Sequence, residues 1–167
     1  MMLIAIWAHA ANGIIGKNNQ LPWHISEDMN FFKQETLHKT VVMGRKTFES
    51  MGNRPLKERK NYILTRKKSL PGVNANNEDQ VQIINQKDEI IELAKDEDVM
   101  VIGGAEIYRL FWPYLDELRI TNIAENVEGD TSFNPDLSQF RRYAVVDQDL
   151  NSESNYHYQF EFWERKK

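Results

Sequence analysis

An acid on the apolar side of a short amphipathic helix is the first place in this chain where chemistry could be done. Residues 21–36 run from a Leu-Pro-Trp loop into a helix that opens at Ser26. At about 100° per residue, Asp28 shares an arc with Met29, Phe31, Phe32 and Thr36, the side that should face inward. Ser26 is placed to cap the helix, and a carboxylate in its first turn is favoured by the positive end of the helix dipole. Two readings of Asp28 follow: an acid that stabilises the helix start, or an acid presented to a ligand. Met29 and Phe32 are core residues by default, but beside Asp28 they also suit the wall of a pocket for a flat aromatic ligand.

Three further sequences are chemically suggestive, and each follows a run that reads as a strand: Gly44-Arg45-Lys46-Thr47, Thr65-Arg66-Lys67-Lys68 and Gly103-Gly104-Ala105. A glycine after a strand lets the backbone approach a ligand, and the helix behind it offers unpaired N–H groups to phosphate. Taken singly, each glycine is equally a tight strand-to-helix turn and each basic group a solvated surface. Neither G-x-G-x-x-G nor G-x-x-x-x-G-K-[ST] occurs, so a standard dinucleotide fingerprint or P-loop is not expected. The chain also lacks a G-x-S-x-G elbow and an H-E-x-x-H pair, leaving serine-hydrolase and zincin chemistry without an anchor.

The elements that must position these groups follow from hydrophobic patterning. Residues 2–9 form an apolar run suited to a strand buried on both faces; it is too short to cross a bilayer and carries no basic flank of an export signal. A loop over 10–25 holds buried-type residues, so it should pack over something. After the helix at 26–37, strands are expected at 40–43, 61–65, 81–84, 99–102 and 117–123, with helices from 45, over 88–94 and over 105–111. An acidic loop spans 125–135, and 142–147 with 156–164 read as a closing hairpin. Strands alternating with helices predict an α/β fold: a single domain over 1–167, with a central, mostly parallel twisted sheet of about eight strands, a C-terminal antiparallel hairpin and helices on both faces. In such sheets ligands bind outside the carboxyl ends of the strands, where the three sequences above are placed.

Composition narrows the function further. Lys plus Arg number 21 against 25 Asp plus Glu, a net charge of −4, so no global field gathers nucleic acid or anionic membrane, and an anionic ligand must be held by local basic groups. The chain has no cysteine, which excludes disulfides and a thiolate nucleophile and fits a reducing cytoplasm. His9, His24, His38 and His157 show no paired metal-ligand spacing, so no metal is expected.

Over essentially its full length the sequence resembles dihydrofolate reductase of the bacterial chromosomal type. The resemblance rests on Gly16 through Leu21-Pro22-Trp23 to Asp28 and Phe32-Lys33; on Val42-Met43-Gly44-Arg45 with Thr47-Phe48-Glu49-Ser50; on Arg59-Lys60-Asn61; on Val101-Ile102-Gly103-Gly104-Ala105 with Ile107-Tyr108; and on Glu128-Gly129-Asp130-Thr131. It implies reduction of 7,8-dihydrofolate by hydride transfer from NADPH to C6, with protonation at N5. The implied catalytic set is Asp28, Leu21, Trp23 and Thr121, Asp28 acting with a water. Ile6, Ala8, Met29, Phe32 and Ile102 would wall the substrate pocket, and Arg59 would pair with the substrate's glutamate carboxylate. For NADPH, the resemblance implies a nicotinamide site at Ala8, Ile15 and Tyr108, with Ile102 among the further cofactor contacts. Phosphate contacts would come from Gly44, Arg45, Lys46, Thr47, Arg66 and the turn Gly103-Gly104-Ala105, whose glycines share a cis bond in this family, with Leu64, Thr65, Glu106 and Ile107 alongside. The loop over 10–23 would be a lid that Asp130 helps to latch.

Glu106 departs from the family, many members of which carry a basic or neutral residue there. Trp7 is bulkier than usual, Asn53 is an insertion and Lys57-Glu58 replaces a Pro-Gly turn. The resemblance further implies a cytoplasmic monomer that binds dihydrofolate and antifolate-type molecules. Two other functions fit parts of the pattern: a reductase of the same architecture acting on a pyrimidine intermediate of riboflavin synthesis, and a non-catalytic nucleotide-binding module.

Overall fold

The N-terminal apolar run becomes β1 (Leu3–Ala10), whose first five residues are all buried, as a strand covered on both faces must be. The structure, a computed structural model, describes residues 1–18, 20–148 and 157–167, with Gln148 described by its backbone only. After β1 come β2 (Ile14–Gly16), α1 (Ser26–Thr36), β3 (Thr40–Gly44), α2 (Arg45–Ser50), β4 (Lys60–Leu64), β5 (Val81–Ile84) and α3 (Lys87–Leu93). Then follow β6 (Val99–Val101), α4 (Ala105–Phe111), a 3-10 turn at Trp112–Tyr114, β7 (Glu117–Ile123), β8 (Thr131–Ser132), β9 (Phe140–Gln148) and β10 (Tyr158–Arg165).

Eight strands form one sheet in the order β5-β4-β3-β6-β1-β7-β10-β9. Pairing is parallel from β5 through β7, and antiparallel where β10 joins β7 and β9 joins β10. Alternation along the strands sends side chains to two layers. Leu3, Ala5 and Trp7 pack with Phe111, Leu118 and Ile120 on one face; Ile4 and Ile6 pack with Met43, Phe48 and Ile102 on the other. A third cluster, with Trp23, Ile25, Ile123, Tyr158 and Phe160, seats the start of α1. The adjacency of β3, β6, β1 and β7 brings their carboxyl ends side by side, which places the functional groups together.

Three expectations are corrected. Ser26 does not cap α1: the N-cap is Ile25, without a side-chain bond, and a buried apolar residue there anchors the helix by packing instead. Met29 does not face inward and is 54 % exposed, because α1 docks through the stripe Asp28, Phe31, Phe32 and Thr36, with Met29 turned to its flank. The two loops at 10–25 and 125–135 are not free of strands; they contribute β2 and β8, which pair antiparallel as a small second sheet. The first arm of the hairpin, β9, is longer than expected, while β10 ends one residue later than expected; Tyr156 and Asn19 lie outside the described residues.

Candidate active site and nucleotide cleft

Helix α1 is fixed on the sheet by Phe31, which stacks on Phe160 of β10 at 4.2 Å between centroids and meets Phe162 edge-on at 5.8 Å. One turn earlier on the same face stands Asp28. That docking lowers its carboxylate onto β7, where the Thr121 hydroxyl donates to Asp28 Oδ1 at 2.6 Å. Thr121 is held opposite Ala8 of β1 and Phe160 of β10 by the strand register. Only 9 % of Asp28 is exposed. Burial pushes its carboxyl above the usual 3.8, while the Thr121 bond and the polarity of the nearby Trp23 N–H favour the charged form without cancelling the loss of water. The Trp23 indole N–H is itself buried and completes no hydrogen bond among the described residues, so a donor is left for a group that enters beside Asp28.

The other end of α1 holds a second polar cluster. The Thr36 hydroxyl, fully buried, donates to the Phe32 carbonyl at 2.8 Å and accepts Nη1–H of Arg59 at 2.9 Å. Arg59 Nε–H is donated to the Lys57 carbonyl at 2.8 Å, so two of its three nitrogens are held by the protein. Eight residues of helix separate Asp28 from Thr36, about 12 Å at 1.5 Å per residue. Thr36 was legible only as a core residue; nothing in the sequence ties it to Arg59. Ile6, Ile102 and Phe32 meet in the core cluster beneath α1, and Ala8 lies beside Trp23 and Ile14.

The carboxyl ends of β3 and β6 open onto a cleft of about 910 Å³. Gly44, Arg45, Lys46 and Thr47 line it from α2, Leu64, Thr65 and Arg66 from the end of β4, and Gly104, Ala105, Glu106 and Ile107 from α4. Eight further residues, among them Asn85, Lys87, Arg109 and Asp130, were not singled out for this role; the position of Asn85-Gln86-Lys87 directly after β5 was the available signal. Asp28, Arg59, Met29, Ala8, Ile15, Ile102, Gly103 and Tyr108 do not line this cleft. Tyr108 is buried, its hydroxyl donating to the Ile6 carbonyl at 2.7 Å, and burial raises its pKa.

The two glycine turns serve different ends. At Gly44 an added Cβ would come within 2.9 Å of Ile107, so this glycine makes room for α4. At Gly104 the nearest atom to such a Cβ is Thr47 Oγ1 at 3.9 Å, so the backbone there faces open cleft. Gly103 takes φ +117 beneath the Tyr108 ring, a conformation L side chains avoid, and it is joined to Gly104 by a cis peptide bond. Its carbonyl accepts the Gly44 N–H at 2.9 Å and ties the two turns together.

The loop over 10–23 lies docked on the segment around Asp130. Gly16 O accepts the Asp130 N–H at 3.0 Å, Asp130 Oδ2 accepts the Asn18 N–H at 2.8 Å, and Asn12 Nδ2–H is donated to the Val127 carbonyl at 2.9 Å. The Asn18 bond holds the Asp130 carboxyl below its usual pKa.

A buried, hydrogen-bonded acid and a cleft rich in cations, both carried by a mostly parallel sheet, are what a nucleotide-dependent α/β enzyme requires. The family model for dihydrofolate reductase matches residues 2–165. The dihydrofolate reductase of Bacillus subtilis is 38 % identical over 167 residues, covering 99 % of this chain and 95 % of that one. That of Enterococcus faecium is 35 % identical, covering 98 % and 97 %. The structure of dihydrofolate reductase from Enterococcus faecalis complexed with NADP(H) and RAB-propyl is similar with a TM-score of 0.91 at 35 % identity, over 99 % of this chain and 97 % of that one. The chain belongs to the dihydrofolate reductase family, and it is an NADPH-dependent oxidoreductase.

Proposed function

We propose that this chain reduces 7,8-dihydrofolate with the pterin seated on Asp28 and the dinucleotide in the cleft between α2 and α4. The observation that carries the reading is the Asp28 carboxylate, buried yet fastened by Thr121. It accepts hydrogen bonds from the pterin's amino group and ring nitrogen, which sets the ring's orientation. A water that accepts the Trp23 N–H and bonds Asp28 is the route by which a proton reaches N5, and a carboxyl with a raised pKa suits that task. Thr121 is the positioning residue for Asp28. Ile6, Phe32 and Ile102, with the exposed side chains of Leu21 and Met29, give the ring apolar walls, and Arg59 meets the glutamate carboxylate. Antifolate-type molecules that present the same donors compete at Asp28.

The cleft fits NADPH. Its cations suit phosphates, and the open backbone at Gly104 admits an anionic group that a Cβ would obstruct. When bound, NADPH supplies the hydride that is added at C6. Thr47 and the Gly104-Ala105 turn would receive the pyrophosphate, Arg45 and Arg66 the 2′-phosphate, and Ala8, Ile15 and Tyr108 would border the nicotinamide. The lid excludes water from the reacting atoms. The working unit is a single-domain cytoplasmic monomer; among the described residues no helix is long and apolar enough to cross a membrane.

Replacing Asp28 by Asn keeps the Thr121 bond and removes the acid. Activity at neutral pH is expected to fall by about 100-fold or more, in the range of one lost general acid, with partial recovery in acid where solvent protonates the substrate. Equal loss at every pH would remove Asp28 from the proton path.

A further inference from the structure

The cleft holds more charge than the assigned phosphate contacts account for. Lys87, two residues beyond Asn85 at the end of β5, lines it together with Arg66. Glu106 lines it from the first turn of α4. Strands β4 and β5 are paired in register, Leu64 opposite Ile84, and Asn85 Nδ2–H is donated to the Thr65 carbonyl at 2.6 Å. The segments that leave these strands are thereby fastened together, and Arg66 and Lys87 are carried on one bank.

The Lys87 ammonium is 3.7 Å from the Asp88 carboxylate, whose side chain is 78 % exposed, and 5.9 Å from the Tyr114 ring centroid. A contact that solvated leaves most of the charge in play. Arg45 differs: its Nη1 donates to both oxygens of Glu49 at 2.8 and 2.9 Å, so its charge is shared before any ligand arrives. Lys46 and Arg109 also face the cleft as cations, and Asp130 faces it as an acid alongside Glu106.

We propose that Lys87 is a specificity-determining cation of the dinucleotide site, reading the 2′-phosphate from the β5 side with Arg66, and that Glu106 opposes the ligand's phosphates from the α4 side. The proposal rests on the reading of this cleft as the NADPH site. An ammonium on a flexible stem acts on phosphate as a movable point charge and needs no fixed fork geometry. Affinity is then the balance between that attraction and a like charge retained on the facing bank.

The test needs no turnover. NADP⁺ and NAD⁺ are titrated calorimetrically into the wild-type chain and into Lys87→Gln, Lys87→Arg and Glu106→Gln, at low and high salt. Lys87→Gln is expected to lose about two- to fivefold in NADP⁺ affinity, as for one screened ion pair, and nothing for NAD⁺. Lys87→Arg restores the loss, and the salt dependence of NADP⁺ binding flattens in the Gln variant. Glu106→Gln is expected to bind both dinucleotides more tightly by a similar factor. Unchanged NADP⁺ affinity in Lys87→Gln, or a parallel loss for NAD⁺, overturns the role of Lys87; unchanged affinities in Glu106→Gln overturn the opposition. A wild-type chain that binds neither dinucleotide would instead overturn the reading of the cleft.

Discussion

Asp28 is held against its own electrostatic preference, and that has a measurable cost. Its carboxyl is raised by burial more than Thr121 and Trp23 lower it. Below the ordinary value of 3.8 the group is protonated in both folded and unfolded chains, and the native state carries no penalty. As pH rises through the elevated folded pKa, the native carboxyl must ionise in a buried place, and stability falls relative to acid. Asp28→Asn removes that penalty, so thermal unfolding should show the variant more stable than the parent at neutral pH, by about 0.5–2 kcal/mol, with the gap closing in acid. A variant less stable than the parent at neutral pH would mean that the carboxylate is a structural support. Thr36 gives the companion prediction. Thr36→Val removes the acceptor for Arg59 while keeping the buried volume, so KM for dihydrofolate should rise about 5- to 30-fold with kcat little changed, for one charge-assisted bond of about 1–2 kcal/mol; a change in kcat alone would contradict it. At this scale the sequence exposed Asp28 because an acid broke an apolar stripe. It hid Thr36, which obeys the stripe and acts through its hydroxyl.

Among the elements, the docked lid depends on how closely β2 and β8 approach. At Gly129 an added Cβ would collide with Ile14 and lie 2.6 Å from the Gly16 carbonyl. Gly129→Ala should therefore push the two segments apart. Amide exchange at Gly16 and Asn18 should accelerate at least about tenfold, as expected when a contact worth more than 1.4 kcal/mol is lost locally, while exchange in the β1–β7 core stays slow. Uniform acceleration throughout the sheet would show that the lid is part of the global fold. Asp130 provides the pH signature. A carboxyl whose folded pKa is depressed supports its contact above the ordinary value and loses it as pH falls through the depressed one. The Asn18 latch should thus be indifferent to pH across neutrality and release only in acid below 3.8. Strands β1 and β6 were legible from unbroken apolar runs and helix α4 from its spacing. The lid pair was not: strands of three and two residues are too short to show a period, and their pairing is set by a distant loop.

On the scale of the molecule, one network ties the active-site helix to the antiparallel end of the sheet. Arg119 on β7 bonds Glu35 of α1 at 3.1 Å and Glu117 at 2.6 Å, and lies 5.1 Å from the Phe162 ring; Tyr143 of β9 donates to the same Glu117. The pair is mostly buried, with side-chain exposures of 12 % for Arg119 and 24 % for Glu35. Arg119→Leu leaves two carboxylates without their cation and should cost about 3 kcal/mol of stability, read from denaturant unfolding; a loss below about 0.5 kcal/mol would place the pair among solvated surface contacts. The overall parallel sheet and its C-terminal hairpin follow from sequence patterning, since burial on both faces leaves a strong signature. The network did not, because charged side chains on a strand give no sign of which partner they will meet. The net charge of −4 repels the ligand, so the cationic cleft has to overcome it locally. The proposed function turns on proton delivery by Asp28. The most direct test follows NADPH absorbance with dihydrofolate from acid to neutral pH, for the parent chain and Asp28→Asn. Rapid oxidation by the parent, with a variant that is nearly inactive at neutral pH and recovers in acid, is the result expected. A variant as active as the parent at neutral pH, or a parent that binds NADPH and leaves it unoxidised with dihydrofolate, would contradict the account.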